Sequence, residues 1–340
     1  MSVLDIVPVD TFDREAFDAW HAAYVAAELA EGDGVASPYQ LEELRAMAQE
    51  PGASWWQALY AGVVDGRVVV AGSVLTPLLD NTDRAELMVH TVPDARRRGH
   101  AAAMLAHLEE VAAARGRTIL VGESSWRYDD GPDGTGAPGR EFARQAGFDL
   151  ALGDVKRVLR LPVADELLEA LAAEAATRHP GHELRSWVGP VPDELLEGWA
   201  RLSSLVLTEA PTGDLDVEPE YRDASVIRAN EAVLAKQGRT KFNTIALDPD
   251  GVPVAYTDLV ITVHEPGQAW QFGTLVERAA RGRRLGLAVK VANLRLLQAE
   301  RPDITRLATY NAEVNGHMIE VNQRLGFRPV ARLGEFQKRA

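Results

Sequence analysis

The chain of 340 residues contains no cysteine, which excludes disulfide bridges, thiolate metal centres and a cysteine nucleophile. That absence suits a reducing cytoplasm. Long apolar runs are missing too: none reaches the ~18 residues that a membrane helix needs. The opening Met1-Ser2-Val3-Leu4-Asp5 lacks the basic-then-apolar layout of a signal peptide. The expectation is a cytoplasmic protein with no membrane partner, either a monomer or a homodimer. The eight histidines show no metal-ligand spacing, and His100, His107 and His317 read as surface or helix residues. Positive charge is in deficit, with 36 Lys and Arg against 50 Asp and Glu and a formal net charge of -14. Such a chain repels nucleic acid and tends to attract a cationic substrate. Solubility alone is the competing explanation of the acidity.

What is present is the composition of a folded protein, 46% hydrophobic and 25% charged, at a length that suits two domains. The first half alternates strand and helix signals. Val3 to Val9 reads as a strand, Phe12 to Leu29 as a helix capped by Thr11 or Asp13, and Pro38 opens a helix to Gln49. Ser54 to Val64 and Arg67 to Thr76 form a hairpin around Asp65-Gly66. Strand Glu86 to Val92 stops at Pro93. Ala101 to Arg115 is a helix with Met104, Leu105, Leu108 and Ala112 on one face, and Thr118 to Gly122 is an apolar strand. Asp129 to Gly136 is too rich in Gly and Pro for regular structure and reads as a mobile loop. A short helix, Arg140 to Ala146, precedes Gly147-Phe148 and a strand from Val155 to Leu161.

From Glu183 the same order returns. It comprises a strand (Glu183 to Val188), helices (Asp193 to Leu207 and Glu218 to Lys236), and strands Asn243 to Leu247 and Val252 to Val263 around an Asp-Pro-Asp-Gly turn. Strand Ala269 to Val276 leads to a helix from about Arg284, then strand Thr305 to Tyr310 and helix Asn315 to Leu325. Arg96 and Arg281 occupy equivalent places, which marks a duplication. The domain break falls at Pro162, giving domains 1–162 and 163–340.

In the first half, a strand feeds Arg96-Arg97-Arg98-Gly99-His100-Ala101 and then a helix. The first N–H groups of a helix have no internal partner and carry the positive end of its dipole, so such a turn is a phosphate site in physical terms. A small residue admits close backbone approach, and arginines add charge. The second half reads Val276-Glu277-Arg278-Ala279-Ala280-Arg281-Gly282-Arg283-Arg284-Leu285-Gly286. Two alignments are open there: Arg283, Gly286 and Ala288 fit the spacing literally, while Arg281 to Gly286 keeps the distance from strand to turn. We prefer the second. It puts Arg284 where the first half has Gly99, and that side chain narrows the cradle.

Arg96, Gly99 and Ala101 match the Gln/Arg-x-x-Gly-x-Gly/Ala motif, and the chain resembles the GNAT acetyltransferase family. A later stretch strengthens the resemblance. Asn315, Met318, Asn322, Leu325, Gly326 and Phe327 match the family's Asn-x-x-Met-x-x-x-Asn-x-x-Leu-Gly-Phe, of which Phe142 to Phe148 keeps only a remnant. The tandem layout is also similar to mycothiol synthases and related bacterial tandem acetyltransferases.

The resemblance implies an α/β (α+β) fold of two GNAT-like domains, each a mixed, mostly antiparallel twisted sheet flanked by helices. It implies acetyl-CoA as cofactor and a small amine as acceptor. The diphosphate would be held by amides from Arg97 to Ala101 and from Arg281 to Gly286, through Gly282, Arg283, Arg284 and Leu285. Val89, Thr91, Leu275 and Val276 would serve the pantetheine arm, with Asn315 beside it.

Transfer needs a base for the ammonium, donors for the oxyanion and a proton for the thiolate. The family's tyrosine acid is replaced by Asn322 in one half and Ala143 in the other. Base candidates are Asp258 in an apolar strand and Glu86 at the start of the strand before the first turn. Glu209 and Asp214 border the acceptor region, and Tyr310 is a candidate acid. Each has a plain structural alternative: a solvent-facing edge, a surface pair with Arg84, loop capping and core packing. The chemistry is expected in the second half, with a non-catalytic acyl-CoA-binding module as the alternative function.

Overall fold

Residues 4–340 apart from 33, 51, 53 and 210 are described by the computed structural model. Val3, the expected start of the first strand, and Ala210, beside Glu209, lie outside the described residues. In chain order the elements are β1 (Asp5–Pro8), α1 (Arg14–Leu29), α2 (Leu41–Gln49), β2 (Trp55–Val64), β3 (Arg67–Pro77), β4 (Arg84–Thr91), α3 (His100–Ala114), β5 (Ile119–Arg127), α4 (Pro138–Gln145) and β6 (Asp149–Arg160). They continue as α5 (Asp165–Ala176), β7 (Glu183–Val188), α6 (Asp193–Ser204), α7 (Val206–Glu209), α8 (Ala224–Lys236), β8 (Arg239–Leu247) and β9 (Pro253–Thr262). The last are β10 (Gln268–Val276), α9 (Leu285–Glu300), β11 (Arg306–Ala312), α10 (Gly316–Leu325) and β12 (Arg328–Arg339).

Two compact units result, and chain order does not divide them. The first comprises the chain up to Asp154, the short segment Gly213–Asp216, and Val330–Ala340. The second comprises Val155–Thr212 and Val217–Pro329. The break expected at Pro162 is therefore crossed by both last strands. β12 closes the first unit by pairing antiparallel with β5, from Ala331↔Arg127 to Arg339↔Ile119. The end of β6 lies beside β11 in the second. Strands of similar polarity at the end of each half carry nothing in their sequences that says which sheet each joins.

In the first unit the strand order is β1-β2-β3-β4-β5-β12, with only β4 and β5 parallel. α1 begins where the Asp13 carboxylate accepts from the amides of Glu15 and Ala16, a side-chain cap. It buries Phe17, Trp20 and Tyr24 at helical spacing. α3 seats Met104 over two strand glycines. A Cβ on Gly72 would lie 2.5 Å from the Met104 sulfur, so the glycine makes the room for that helix. The Gly/Pro-rich stretch expected to be mobile is instead packed: Trp126 donates to the Gly131 carbonyl at 2.9 Å, and Gly134 stacks so closely that a Cβ would sit 2.6 Å from the indole.

The second unit repeats the plan as β6-β11-β10-β9-β8-β7, with β10 and β11 parallel. α9 is buried on almost every side, including Lys290 and Asn293. The expected helix from Glu218 starts later, at Ala224, because the Asp223 carboxylate caps it there through the Val226 amide at 2.9 Å. β8 extends further towards the N-terminus than its apolar core, from Arg239, since pairing with β9 holds its polar start.

Candidate active site

Each unit carries the same strand, turn and helix, residue for residue. β4 ends at Thr91, a single 3₁₀ turn covers Pro93–Ala95, Arg96 is extended, and Arg97 and Gly99 are left-handed with φ of 63° and 85°. In the second unit the 3₁₀ turn is Arg278–Ala280, Arg281 is extended, and Gly282 and Arg284 are left-handed with φ of 80° and 56°. The geometry thus selects the alignment of Arg281 to Gly286 with the first turn. Each half places glycine at one left-handed position and arginine at the other. No side chain caps α3 or α9, so the opening amides at His100, Ala101, Leu285 and Gly286 point outward without an intrahelical partner. A Cβ on Gly99 or Gly282 would meet nothing within 4 Å. Bare amides under open space, ringed by arginines, fit a diphosphate.

The leading arginines do not face that space. Arg96 donates from Nε to the Thr91 carbonyl at 3.2 Å and from Nη2 to the Ala27 carbonyl and the Glu31 carboxylate. Arg281 repeats the bond from Nε to the Val276 carbonyl at 3.2 Å, and its Nη2 reaches Glu209 Oε2 at 2.7 Å. Both brace the strand end to the close of the helical stretch that follows the first strand of their unit. Glu209 also pairs with Arg278, so its carboxylate is held by two arginines. Asp214 packs with the first unit instead, its amide bonded to the Ala151 carbonyl. Arg97, Arg98 and Arg283 are exposed. Arg284 is drawn into an ion pair with Glu174, so the side chain thought to narrow the cradle is tied to α5.

Beyond the turn, the two parallel strands part. β4 pairs with β5 only from Arg84↔Ile119 to Glu86↔Val121, and β10 with β11 only from Gln268↔Arg306 to Trp270↔Ala308. Past these points Val89 and Thr91 of β4, and Leu275 and Val276 of β10, present one backbone edge to a gap. β10 differs from β4 in one respect. Between Gln271 and Thr274 it carries a bulge, so Phe272 and Gly273 together oppose Asp258. Gln271 pins the bulge, donating from Nε2 to the Asp258 carbonyl at 2.7 Å and to Thr257 Oγ1 at 3.0 Å. Bulges re-aim backbone and side chains beside active sites, and β4 pairs with β3 without one.

Asp258 is 5% exposed. Its Oδ2 accepts from Lys241 Nζ at 2.6 Å while Oδ1 is buried with no partner. Trp187, Asn243 and Asp258 are neighbours across β7, β8 and β9. Each leaves one buried polar atom unpaired: the indole Nε1, the amide Oδ1 and the carboxylate Oδ1. Buried polar atoms are almost always satisfied, so a row of three calls for water or a ligand. Trp199 and Tyr256 wall the row, with ring centroids 4.7 Å apart. Burial, then the Asp258 charge, hold the Tyr256 phenol far above its ordinary range, which keeps it protonated.

Tyr310 is half-buried, two residues past the last pairing of β11. Asn315 caps α10, its Oδ1 accepting from the Met318 amide. Asn322 is fully buried and donates to Asn311 at 2.6 Å. Glu86, in the first unit, is the last residue of β4 that pairs with β5. It belongs to a set of carboxylates that no sequence motif marks. Glu123 and Glu335 are direct cross-strand partners. Desolvation by the surrounding protein, followed by the charges of Glu335, Glu86 and Asp154, pushes Glu123 up to about 8 even though solvent still reaches its side chain. Desolvation and Asp154 push Glu335 up to about 7. The two acids lie far apart in the chain, and only strand register brings them together.

Strand, uncapped turn and parting parallel strands define a GNAT-type acyltransferase fold, present twice. Residues 16–124 match the acetyltransferase (GNAT) family. Over 99% of this chain and 98% of the other, it is similar to a tandem GNAT protein from the clavulanic acid biosynthesis pathway, solved without acetyl-CoA, with 27% identity and a TM-score of 0.82. A GCN5-related N-acetyltransferase from Sphaerobacter thermophilus shares the fold at 15% identity and a TM-score of 0.64, covering 99% of this chain and 95% of that one. Comparison with curated proteins gave no match. Among the described residues, no helix is long and apolar enough to cross a membrane and no group of His, Asp or Glu is arranged to hold a metal.

Proposed function

We propose that the protein moves an acetyl group from acetyl-CoA to a small amine, and that transfer takes place in the second unit. The observation that carries this reading is the unpaired polar row Trp187, Asn243 and Asp258 beside the β10 bulge. Acetyl-CoA supplies an activated acyl thioester when bound. The opening amides of α9 and the turn Arg281 to Gly286 hold its phosphates, and the free edge of β10 takes the pantetheine arm. Asp258 Oδ1 accepts a hydrogen from the acceptor ammonium and takes up its proton, so that a neutral amine can attack. Lys241 fixes the other carboxylate oxygen. The aromatic walls limit the acceptor to a small, preferably cationic group, which the overall acidity of the chain attracts. Tyr310 stands nearest the role of proton donor to the departing thiolate.

The test is release of free CoA thiol across a panel of small amines. Asp258→Asn is expected to lower kcat by about 10²- to 10⁴-fold while acetyl-CoA still raises the melting temperature. A second reading, a non-catalytic acyl-CoA-binding module, draws support from Asn322 and Ala143 at the places of the family's tyrosine and from Arg284 in the glycine position. Thermal stabilisation by acetyl-CoA with no thiol release from any amine would establish that reading in place of the first.

A further inference from the structure

The carboxylate of Glu174, on α5, is gripped from two sides. Arg284 bonds Oε1 through Nη1, and Arg324 bonds Oε2 through Nη2. The three residues come from three elements: Glu174 from α5, Arg284 from the turn residue immediately before α9, and Arg324 from the last turn of α10. Two guanidinium groups converging on one acid are the arrangement by which proteins hold phosphate as well as carboxylate. The pair sits beside the uncapped end of α9, where an anion also meets the positive end of the helix. Side-chain exposures of 38%, 28% and 40% for Arg284, Arg324 and Glu174 leave the clamp open to solvent, so its occupant can exchange. The first unit has no counterpart at this position, since Gly99 replaces Arg284.

We infer that Arg284 and Arg324 form an anion subsite of the second unit, that Glu174 fills it in the free protein, and that a phosphate of coenzyme A enters by displacing that carboxylate. This rests on the reading of the α9 turn as a coenzyme cradle. The 3′-phosphate of CoA, a monoester, brings about 1.5 to 2 negative charges and three acceptor oxygens, and the diphosphate brings about 2 charges over its terminal oxygens, against one charge and two oxygens on Glu174. Phosphate therefore outcompetes the internal acid, whereas simple carboxylates do not. Glu174 sets a threshold that only a phosphorylated ligand passes, and the apparent affinity is lowered by the fraction of time the carboxylate holds the clamp.

Calorimetric titration of the full chain with CoA and with 3′-dephospho-CoA tests the inference. The background is Ala101→Glu, which sets a carboxylate among the opening amides of α3 and silences the first unit. Glu174→Gln is expected to bind CoA about fivefold more tightly than its parent, and Arg324→Gln about tenfold more weakly. If the gain from Glu174→Gln disappears with dephospho-CoA, the displacing group is the 3′-phosphate; if it persists, it is the diphosphate. Glu174→Ala must shift affinity in the same direction, with all variants titrated well below their melting midpoints. Unchanged or weaker CoA binding in both Glu174 variants overturns the gate while leaving the cradle standing. A parent protein that takes up no CoA removes both.

Discussion

A lysine inside an apolar helix face is costly, and Lys290 is the plainest case. It is 3% exposed on α9, its Nζ 5.6 Å from the centre of the Phe327 ring. Burial alone lowers its pKa to about 7. The unfolded chain holds that proton up to about pH 10.4, so between pH 7 and 10.4 the unfolded state binds more protons and stability rises with pH. Below pH 7 the full penalty applies, several kcal/mol at about 1.36 kcal/mol per pKa unit. Lys290→Met, which conserves volume, should raise the urea midpoint most at pH 7 and progressively less towards pH 10. An advantage that stays constant with pH would show that desolvated charge is not what Lys290 contributes. Nothing in the sequence singles out Lys290, because a helical period sets a lysine on the polar face, whereas α9 is buried on almost every side.

At the scale of elements, the informative contrast lies between β4 and β10, which look equivalent in sequence. Their turns do match, because a left-handed residue two and four places into the turn is a backbone requirement that glycine or a tolerated arginine reveals at fixed spacing. The bulge in β10 leaves no such mark, since one additional residue in a strand does not disturb the apolar pattern enough to be read. Gly273 is its visible trace. A Cβ there would lie 2.5 Å from the Tyr256 hydroxyl and 3.0 Å from two ring carbons. Gly273→Ala is therefore expected to cost about 1–3 kcal/mol by overpacking, and Tyr256→Phe in the same chain should recover part of that loss. Full additivity of the two substitutions in a double-mutant cycle would mean that the contact does not constrain the bulge. The same scale accounts for the contacts that sequence did not reveal. Asp258 was legible as a carboxylate in an apolar strand, but its partner Lys241 and the row with Asn243 and Trp187 depend on register across three strands. Arg96 and Arg281 looked available for ligand because their spacing is that of a binding motif, and Glu209 because its loop borders the acceptor region in the family that the chain resembles. Only the path of the preceding helices shows that their charges are met within the protein.

At the scale of the molecule, the duplication was readable from the recurring order of elements, while the exchange of last strands was not. That exchange makes a testable demand on folding. A fragment ending at residue 162 contains α1 to α4 and β1 to β6, everything the repeat assigns to the first domain. It lacks β12, which pairs with β5 along nine residues and contributes Phe336 to the same core as Phe17, Met104 and Trp126. Without it β5 becomes an open edge, the template on which strands of other chains add. The rest of the core loses a buried aromatic worth about 3 kcal/mol or more. Fragment 1–162 should therefore be poorly soluble or unfolded by circular dichroism and hydrogen exchange. A chain in which residues 328–340 follow residue 162 through a flexible Gly/Ser linker should fold cooperatively. Equal stability of the two fragments would show that the first half is self-sufficient and that the C-terminal strand is an accessory. The converse holds for the second unit. Leu159 and Leu161 lie in its core with Leu287, Leu307 and Phe327, so a fragment beginning at 163 discards part of what α9 packs against and should melt below one beginning at 155.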